Sequence, residues 1–147
     1  MTIGTICTAR VITVDRGIDI AAAAAVMREN RIGYLIVTDP GGAAPIGVIT
    51  DRDIVVKVVA QDVDAHTLTV GDVMTPDPLT AAEDDGISET LHRMRRLGVR
   101  RVPVVGPRGQ VSGVLSIDDV VDHLVSQLSD VAGSIRNESQ RKEILRS

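Results

Sequence analysis

The chain has 147 residues, of which 44% are hydrophobic and 24% charged, and its formal net charge is −4. This length predicts about one domain, and the acidic balance argues against a protein that binds nucleic acid by neutralising phosphates. The sequence has no Trp, no Phe and a single Tyr, Tyr34, so the core must be aliphatic and aromatic platforms for single-stranded nucleic acid are missing.

The cellular compartment is predicted from cysteine usage and hydropathy. The only cysteine, Cys7, cannot form an intramolecular disulfide, and no Cys/His cluster has zinc spacing, so we expect no bound metal and a reducing environment. No segment resembles a signal peptide, and no apolar stretch approaches the roughly 20 residues that span a bilayer. We therefore expect a cytoplasmic protein that contacts neither membranes nor nucleic acid.

The first half of the chain alternates between strand and helix periodicity. Residues 10–14 predict a strand, 18–30 a helix, and 34–38 and 46–50 two strands joined by a Pro/Gly-rich turn. A second helix closes this half, and its expected apolar face consists of Ile54, Val55, Val58 and Val59. A polar connector follows at 62–69.

The second half repeats the first. Residues 3–42 align on 70–109 without a gap at an offset of 67 (71 − 4), and residues 47–55 align on 113–121 at an offset of 66 (113 − 47). The same order of elements therefore recurs, and the apolar face expected on its closing helix consists of Val120, Val121, Leu124, Val125 and Leu128. The unit is βαββα, used twice.

The predicted organisation has four parts: repeat 1 at 3–61, the connector at 62–69, repeat 2 at 70–128 and a polar tail at 129–147. The tail has Gly133 in its middle and only scattered apolar positions. Two interpretations stay open, a frayed helical extension of the kind common at termini and a helix that docks on a partner subunit.

One motif recurs where the last strand of each copy enters its closing helix. Thr50 is followed by Asp53, and Ser116 is followed by Asp119, which is the spacing of a capping box. Such a box needs no ligand. The same geometry can also bind one, because free helix amides suit a phosphate and a carboxylate can accept ribose hydroxyls. Capping alone and capping with a ligand remain alternatives here.

The two copies differ on their basic side. The second copy offers Arg100 and Arg101 beside its motif, whereas Gly33 and Tyr34 stand at the aligned positions of the first. Two clefts of unequal affinity are therefore expected. Paired acids beside each cap lack a nucleophile or base at a recognised spacing, so catalysis is not indicated.

Several stretches in both halves resemble one family. Gly-Val-Ile-Thr-Asp-Arg-Asp-Ile at 47–54, Val-Gly-Asp-Val-Met-Thr-Pro at 70–76 and Val-Arg-Arg-Val-Pro-Val-Val at 99–105 are similar to signatures of cystathionine β-synthase (CBS) domains. The order of these stretches resembles a CBS-domain pair, or Bateman module, and covers nearly the whole chain, as in small stand-alone bacterial proteins of this class. The resemblance implies an α+β fold of tandem βαββα repeats related by a pseudo-twofold axis.

The resemblance also implies a function and a set of site residues. It implies a non-enzymatic sensor, without a required cofactor, that binds AMP, ADP, ATP, NAD or S-adenosylmethionine in a cleft between the repeats. The nucleotide-binding residues that it implies are Thr50, Ser116 and Arg101 for phosphate, Asp53 and Asp119 for ribose, and Thr13 and Thr80 at the border of the adenine. A homodimer, read by an unidentified protein partner, is expected. The alternative is a ligand-free structural or protein-interaction module.

Overall fold

The computed structural model describes residues 1–146, so that residue 147 of the predicted tail lies outside the described part. The elements in chain order are α1 (Ile3–Ile6), β1 (Thr13–Asp15), α2 (Ile20–Asn30), β2 (Tyr34–Thr38), β3 (Gly47–Thr50), α3 (Asp51–Ile54) with a π-helical continuation (Val55–Val59), α4 (Val70–Val73), β4 (Thr75–Pro76), β5 (Ala81–Ala82), α5 (Ile87–Leu97), β6 (Arg101–Val105), β7 (Val111–Ser116) and α6 (Ile117–Arg146).

The strands form two sheets, one for each repeat. The first has the order β1-β2-β3-β4 and the second the order β5-β6-β7. In the first sheet β1 pairs with β2 in parallel and β2 pairs with β3 in antiparallel orientation. The second sheet repeats this pattern, with β5 and β6 parallel and β6 and β7 antiparallel. Two cores, built from aliphatic side chains and Met, lie against these sheets. The predicted α+β fold of tandem repeats is confirmed.

Some predicted boundaries differ from the observed ones. The first strand begins only at Thr13, so residues 10–12 are not strand and lie in the segment that leads into β1. The short helices α1 and α4 and the two-residue strand β4 were not predicted. Four residues are too few to show a helical period, and the positions of these elements depend on contacts with the other repeat.

The start of each repeat packs on the opposite repeat. Ile3 of α1 is fully buried in the core of the second repeat, while Val70 and Val73 of α4 belong to the core of the first. Strand β4 likewise joins the first sheet, where Thr75 pairs with Val48 of β3. The two sequence repeats are therefore interlocked, and each core needs a segment of the other repeat.

Because the first segment of each repeat is exchanged, so that it packs on the opposite repeat, both repeats have a glycine at the same position, Gly4 and Gly71. The N–H of Gly4 donates to the carbonyl of Glu83 at 2.8 Å, and the N–H of Gly71 donates to the carbonyl of Arg16 at 2.9 Å. A Cβ atom on Gly4 would lie 3.1 Å from that Glu83 oxygen, and one on Gly71 would lie 3.3 Å from the Arg16 oxygen. Close approach of the backbones therefore favours glycine at both positions.

A second pair of glycines lies where the exchanged segments cross the sheets. Gly113 of β7 lies under Thr8, and an added Cβ atom would be 2.8 Å from the Thr8 carbonyl oxygen. Gly47 of β3 lies under Met74 and Thr75, and its Cβ atom would be 3.1 Å from the Thr75 carbonyl oxygen. Cys7 and Met74 occupy equivalent positions at the offset of 67, and the side chain of each lies beside the strand glycine of the opposite repeat.

The connector between the repeats is anchored, although its sequence is polar. The carbonyl of Leu68 accepts from the N–H of Ile20 at 3.0 Å, and the carbonyl of Ala65 accepts from the N–H of Ala21 at 3.2 Å. The side chains of Ala65 and Leu68 pack against the first core. The connector thus supplies partners for free amides at the start of α2.

The apolar faces predicted for the closing helices lie largely outside the core of the chain. Only Val58 and Val120 are buried on these helices, and Ile54 is half-buried. The exposed members of the two predicted faces are Val55, Val59, Val121, Leu124, Val125 and Leu128, with exposures between 49% and 68%. Helical periodicity identifies an apolar face but does not say whether the same chain covers it.

Helix α6 continues through the predicted tail as far as Arg146, and Gly133 does not interrupt it. Most of this extension is exposed, and Lys142 pairs with Glu138 one turn earlier at 2.8 Å. Within residues 1–146, no helix combines the length and the hydropathy that a membrane crossing requires.

A partly exposed ion pair in the second repeat, Asp85 with Arg93, makes the free energy of unfolding depend on pH. The backbone N–H of Ala82, together with the Arg93 guanidinium at 2.6 Å, holds the pKa of Asp85 below its usual value. A lowered carboxyl pKa stabilises the fold above the ordinary carboxyl pKa and loses that effect as pH falls through the folded value. We predict that Asp85→Asn lowers the free energy of unfolding at neutral pH by about 1 kcal/mol and flattens its decline below about pH 4.

Urea denaturation at several pH values checks this prediction. The exposed neighbour Asp84 is the matched control, and Asp84→Asn should change the unfolding free energy by less than about 0.5 kcal/mol at every pH. If the unfolding free energy of Asp85→Asn fell below about pH 4 as steeply as that of the unmodified chain, Asp85 would not be the source of the pH dependence.

Candidate functional site

A cavity of about 450 Å³ opens between the two repeats. Its walls come from both repeats and from the exchanged N-terminal segment. Aliphatic side chains and a few polar groups share the surface, and the lining residues used below are Thr8, Arg10, Val11, Ile12, Arg31, Gly33, Tyr34, Ile36, Arg101, Val114, Ser116 and Asp119. A mixed apolar and polar cleft of this size fits a small-molecule site.

Three residues predicted from the sequence converge on this cavity. Ser116 ends strand β7, Asp119 lies in the first turn of α6, and Arg101 begins strand β6. Arg101 is the direct cross-strand partner of Ser116 in the antiparallel register, and this pairing brings the basic side chain to the start of the helix. The strand-to-helix junction therefore joins a cation, a hydroxyl and a carboxylate.

The Ser116 and Asp119 side chains form a reciprocal capping box. The N–H of Asp119 donates to Ser116 Oγ at 3.2 Å, and the N–H of Ser116 donates to Asp119 Oδ2 at 2.9 Å. The second carboxylate oxygen, Oδ1, is approached by the hydroxyl of Thr8, at 3.5 Å. This contact is long for an O–H···O bond, so Oδ1 retains the capacity to accept stronger hydrogen bonds from a ligand.

Tyr34 and Arg101 meet across the cavity. The Arg101 guanidinium carbon lies 5.7 Å from the centre of the Tyr34 ring, which is within the range of a cation–π contact. Burial raises the pKa of Tyr34 despite the nearby Arg101, so the phenol is neutral at physiological pH. Its hydroxyl is buried and, within residues 1–146, has no hydrogen-bond partner.

The first-copy motif forms the same box but not the same site. The N–H of Asp53 donates to Thr50 Oγ1 at 3.2 Å, and the N–H of Thr50 donates to Asp53 Oδ2 at 3.0 Å. Here, however, Lys57 Nζ lies 3.5 Å from Asp53 Oδ1 and donates to the Val73 carbonyl at 3.1 Å. Both carboxylate oxygens are therefore engaged, and neither Thr50 nor Asp53 lines the cavity. Position 123, which aligns with Lys57 at the offset of 66, is His123.

The two threonines predicted at the adenine border lie elsewhere. Thr13 is the exposed first residue of β1, and neither it nor Thr80 lines the cavity. The carbonyl of Thr80 accepts from Arg93 at 3.2 Å. Val11 and Ile12, which precede Thr13 in the chain, line this part of the cavity in its place.

Two arginines of the cavity were missed by the sequence analysis. Arg10 lies in the segment before β1, and Arg31 ends helix α2 with a left-handed backbone of φ 54°. In the second copy the corresponding helix ends at Gly98 with φ 65°, the residue type that this conformation favours. The sequence did contain a signal for Arg31, because an arginine stands there where the aligned position of the second repeat is Gly98.

Cys7 does not show the properties of a reactive thiol. Burial raises the pKa of Cys7, and the charge of Asp119 raises it further, so the thiol stays protonated at neutral pH. Within residues 1–146, no group of three His, Cys, Asp or Glu side chains lies close enough together to hold a metal ion. Packing against the Gly113 backbone accounts for the position of Cys7.

Comparison with known proteins identifies the family. The CBS domain matches the chain twice, over residues 3–60 and 70–126. The chain belongs to the CBS-domain family. CBS pairs are in general regulatory, non-catalytic modules, and no catalytic family is indicated for this chain.

Sequence relatives differ in how much of their length matches. Hypoxic response protein 1 of Mycobacterium tuberculosis is 35% identical over 105 residues, which is 71% of this CBS pair and 72% of that protein. The uncharacterised protein MK0525 of Methanopyrus kandleri is 34% identical over 95 residues, 65% of this chain, and the match spans only 48% of that relative.

Solved CBS pairs have the same architecture. Hypoxic Response Protein I, crystallised with two coordinated zinc ions, superposes with a TM-score of 0.75 at 32% identity, covering 84% of this chain and 98% of that one. The CBS pair of protein MJ0100, in complex with 5′-methylthioadenosine and S-adenosyl-L-methionine, gives a TM-score of 0.73 at 27% identity, covering 84% and 99%.

Proposed function

We propose that this CBS pair is a non-enzymatic regulatory module that binds an adenosine-containing ligand, such as AMP, ADP, ATP or NAD, in the cleft between its repeats. The observation that carries the proposal is the convergence of Arg101, Ser116 and Asp119 on one cavity with aliphatic walls. The adenosyl ligands of the similar MJ0100 pair support the same ligand class.

Each part of such a ligand has a matching group in the cleft. With Tyr34 the only aromatic side chain in the protein, the base would lie mainly between aliphatic residues such as Ile12, Ile36 and Val114. Oδ1 of Asp119, which the Thr8 hydroxyl approaches only at 3.5 Å, suits ribose hydroxyls, which can donate to it. Ser116 and Arg101 suit a phosphate, because hydrogen bonds between a guanidinium and a phosphate are charge-assisted and strong.

We assign the ligand to the second-copy motif and not to the first. Asp53 already accepts from Thr50 and pairs with Lys57, so a ribose at that motif would have to displace an ion pair. Thr50, Asp53, Thr13 and Thr80 thus remain candidates only for a second, weaker site. The two clefts are therefore proposed to differ in affinity, as the sequence comparison predicted.

The proposed output is a change in a homodimer that a protein partner reads. The exposed valines and leucines of the two closing helices form surfaces that a second copy of this chain would cover. Ligand binding at the start of α6 would couple to these surfaces, because Ser116 and Asp119 cap the helix that carries Val121 and Leu124. The reducing cytoplasm remains the proposed compartment.

The alternative function, a ligand-free interaction module, is favoured by one observation. Both capping boxes are complete without any ligand, so capping alone accounts for the Thr50/Asp53 and Ser116/Asp119 motifs. A thermal-denaturation series with AMP, ADP, ATP and NAD separates the two functions. A ligand that binds only the folded chain should add about 2.7 kcal/mol of stability at about 100 times its Kd.

Asp119→Ala and Asp53→Ala form a matched pair for this series. Each loses an equivalent capping bond and should destabilise the free protein by about 1 kcal/mol, and Asp53→Ala also loses the ion pair with Lys57. Only Asp119→Ala should abolish the stabilisation by the ligand. If no adenosine compound shifts the transition, the adenosine function fails and the interaction module stands. If Asp119→Ala responds as fully as Asp53→Ala, the assignment of the ligand to the second-copy motif fails.

A further inference from the structure

Three arginine side chains line the cleft, and they come from three separate parts of the fold. Arg10 precedes β1, Arg31 ends α2 and Arg101 begins β6. The single acidic residue that lines the cleft is Asp119. A second carboxylate, Asp51, lies against Gly33 at the rim. Among the lining residues, three positive side chains therefore accompany one negative one.

Within residues 1–146, no carboxylate lies within ion-pair distance of these three arginines. Within residues 1–146, ion pairs join Arg16 to Asp39 at 3.1 Å and Arg93 to Asp85 at 2.6 Å, but none involves Arg10, Arg31 or Arg101. Unpaired guanidinium groups around a concave surface attract anions, because low-dielectric walls focus the field. Their charge is available to a ligand.

Two further features of the cleft are left unexplained by folding. The Tyr34 hydroxyl is buried in the cavity wall and, within the described residues, has no partner. Arg31 adopts a left-handed backbone that disfavours side chains, at a position where the other repeat has Gly98. The charge of Arg31, held in a disfavoured conformation at the cleft, is consistent with an anionic ligand.

We propose that the cleft selects nucleotides with two or more phosphates over neutral or cationic adenosyl compounds, and that Arg10 and Arg31 determine this selectivity. The inference deepens the proposed function and rests on it for the adenosine part alone. S-adenosylmethionine carries a sulfonium cation, which the net positive cleft repels, and 5′-methylthioadenosine leaves all three arginines without a partner. A diphosphate or triphosphate reaches more than one of them.

Calorimetric titration of the full chain tests this selectivity in the absence of divalent cations. The probes are adenosine, AMP, ADP, ATP, S-adenosylmethionine, GTP and inorganic tripolyphosphate. We expect ADP and ATP to bind at least about tenfold more tightly than adenosine or S-adenosylmethionine, from charge-assisted contacts with exposed arginines. This advantage should shrink at high salt, because exposed charges are screened.

Two variants and a control assign the selectivity to its residues. Arg10→Gln and Arg31→Gly should each reduce the ratio of ATP to adenosine affinity by about fivefold, the scale of one partly exposed ionic contact. Arg31→Gly should also raise the melting temperature, since Gly relieves the left-handed backbone, and misfolding therefore cannot explain its loss of binding. Arg95→Gln, an exposed arginine in the last turn of α5 that does not line the cleft, should leave the ratio unchanged.

The outcomes separate this inference from the proposed function. If adenosine or S-adenosylmethionine binds as tightly as ATP, or if both variants keep the ATP-to-adenosine ratio, phosphate selection is overturned while the adenosine site stands. If GTP and tripolyphosphate bind like ATP, in a manner that depends on Arg10 and Arg31, phosphate selection stands and the adenosine proposal fails. If no probe binds, both are overturned.

Discussion

Ile3→Ala is expected to lower the free energy of unfolding by about 2–4 kcal/mol, the usual cost of truncating a buried isoleucine. Ile3 is 0% exposed, although it stands near the start of the chain. Its side chain packs with Val102 and Leu115 in the core of the second repeat. The variant should therefore loosen the second repeat first, which urea denaturation combined with hydrogen exchange in β6 and β7 can measure.

Ile135→Ala is the matched control, because it makes the same change at a residue that is 61% exposed. We expect the control to change stability by less than about 0.5 kcal/mol in an unassociated chain. If Ile3→Ala instead increased hydrogen exchange only in β2 and β3 of the first sheet, the packing of the N-terminal segment on the second repeat would be contradicted.

Leu124→Lys is expected to convert a dimer into the 15.6 kDa monomer. Leu124 is 50% exposed and lies on α6 between the exposed residues Val121 and Val125. In the proposed homodimer a charge at this position would be buried without a partner. Loss of one central anchor weakens an interface by about 2 kcal/mol or more, which is roughly 30-fold in Kd. Sedimentation equilibrium over a range of concentrations measures the effect.

Ser126→Lys introduces the same charge on the opposite side of the same helix and is the control. It should leave the dimer dissociation constant unchanged, because Ser126 lies outside the apolar face. The unmodified chain sedimenting as a monomer at all concentrations, or both lysine variants dimerising equally, would show that the closing helices do not form the interface.

Much of the fold could be predicted because its signals are local or repeated. The helix at 18–30 and the strands at 34–38 and 101–105 were found within a few residues of α2, β2 and β6, since apolar periodicity is recorded directly in the sequence. The capping boxes were also predicted, because their partners lie three residues apart. Helix α1 and strand β4 were missed because contacts with the other repeat define them.

The candidate site was predicted in part for the same reason. Ser116, Asp119 and Arg101 could be chosen from a motif and its neighbouring strand, and the structure places all three in one cavity. The engagement of Asp53 by Lys57 was not anticipated, although the two residues are only four positions apart. The pairing depends on where Lys57 lies relative to the Val73 carbonyl of the exchanged segment.

The sequence by itself determined that this CBS pair contains two repeated units, each with a capped closing helix and an aliphatic core. Tertiary structure alone decided which motif faces an open cleft and which closing-helix side chains remain uncovered. The reason is distance along the chain. Thr8 and Asp119 approach each other across 111 positions, and no periodicity records such a contact. The interlocked repeats also place the two carboxylates differently: Asp53 pairs with Lys57 at 3.5 Å, whereas Oδ1 of Asp119 faces the uncharged hydroxyl of Thr8 in the cleft.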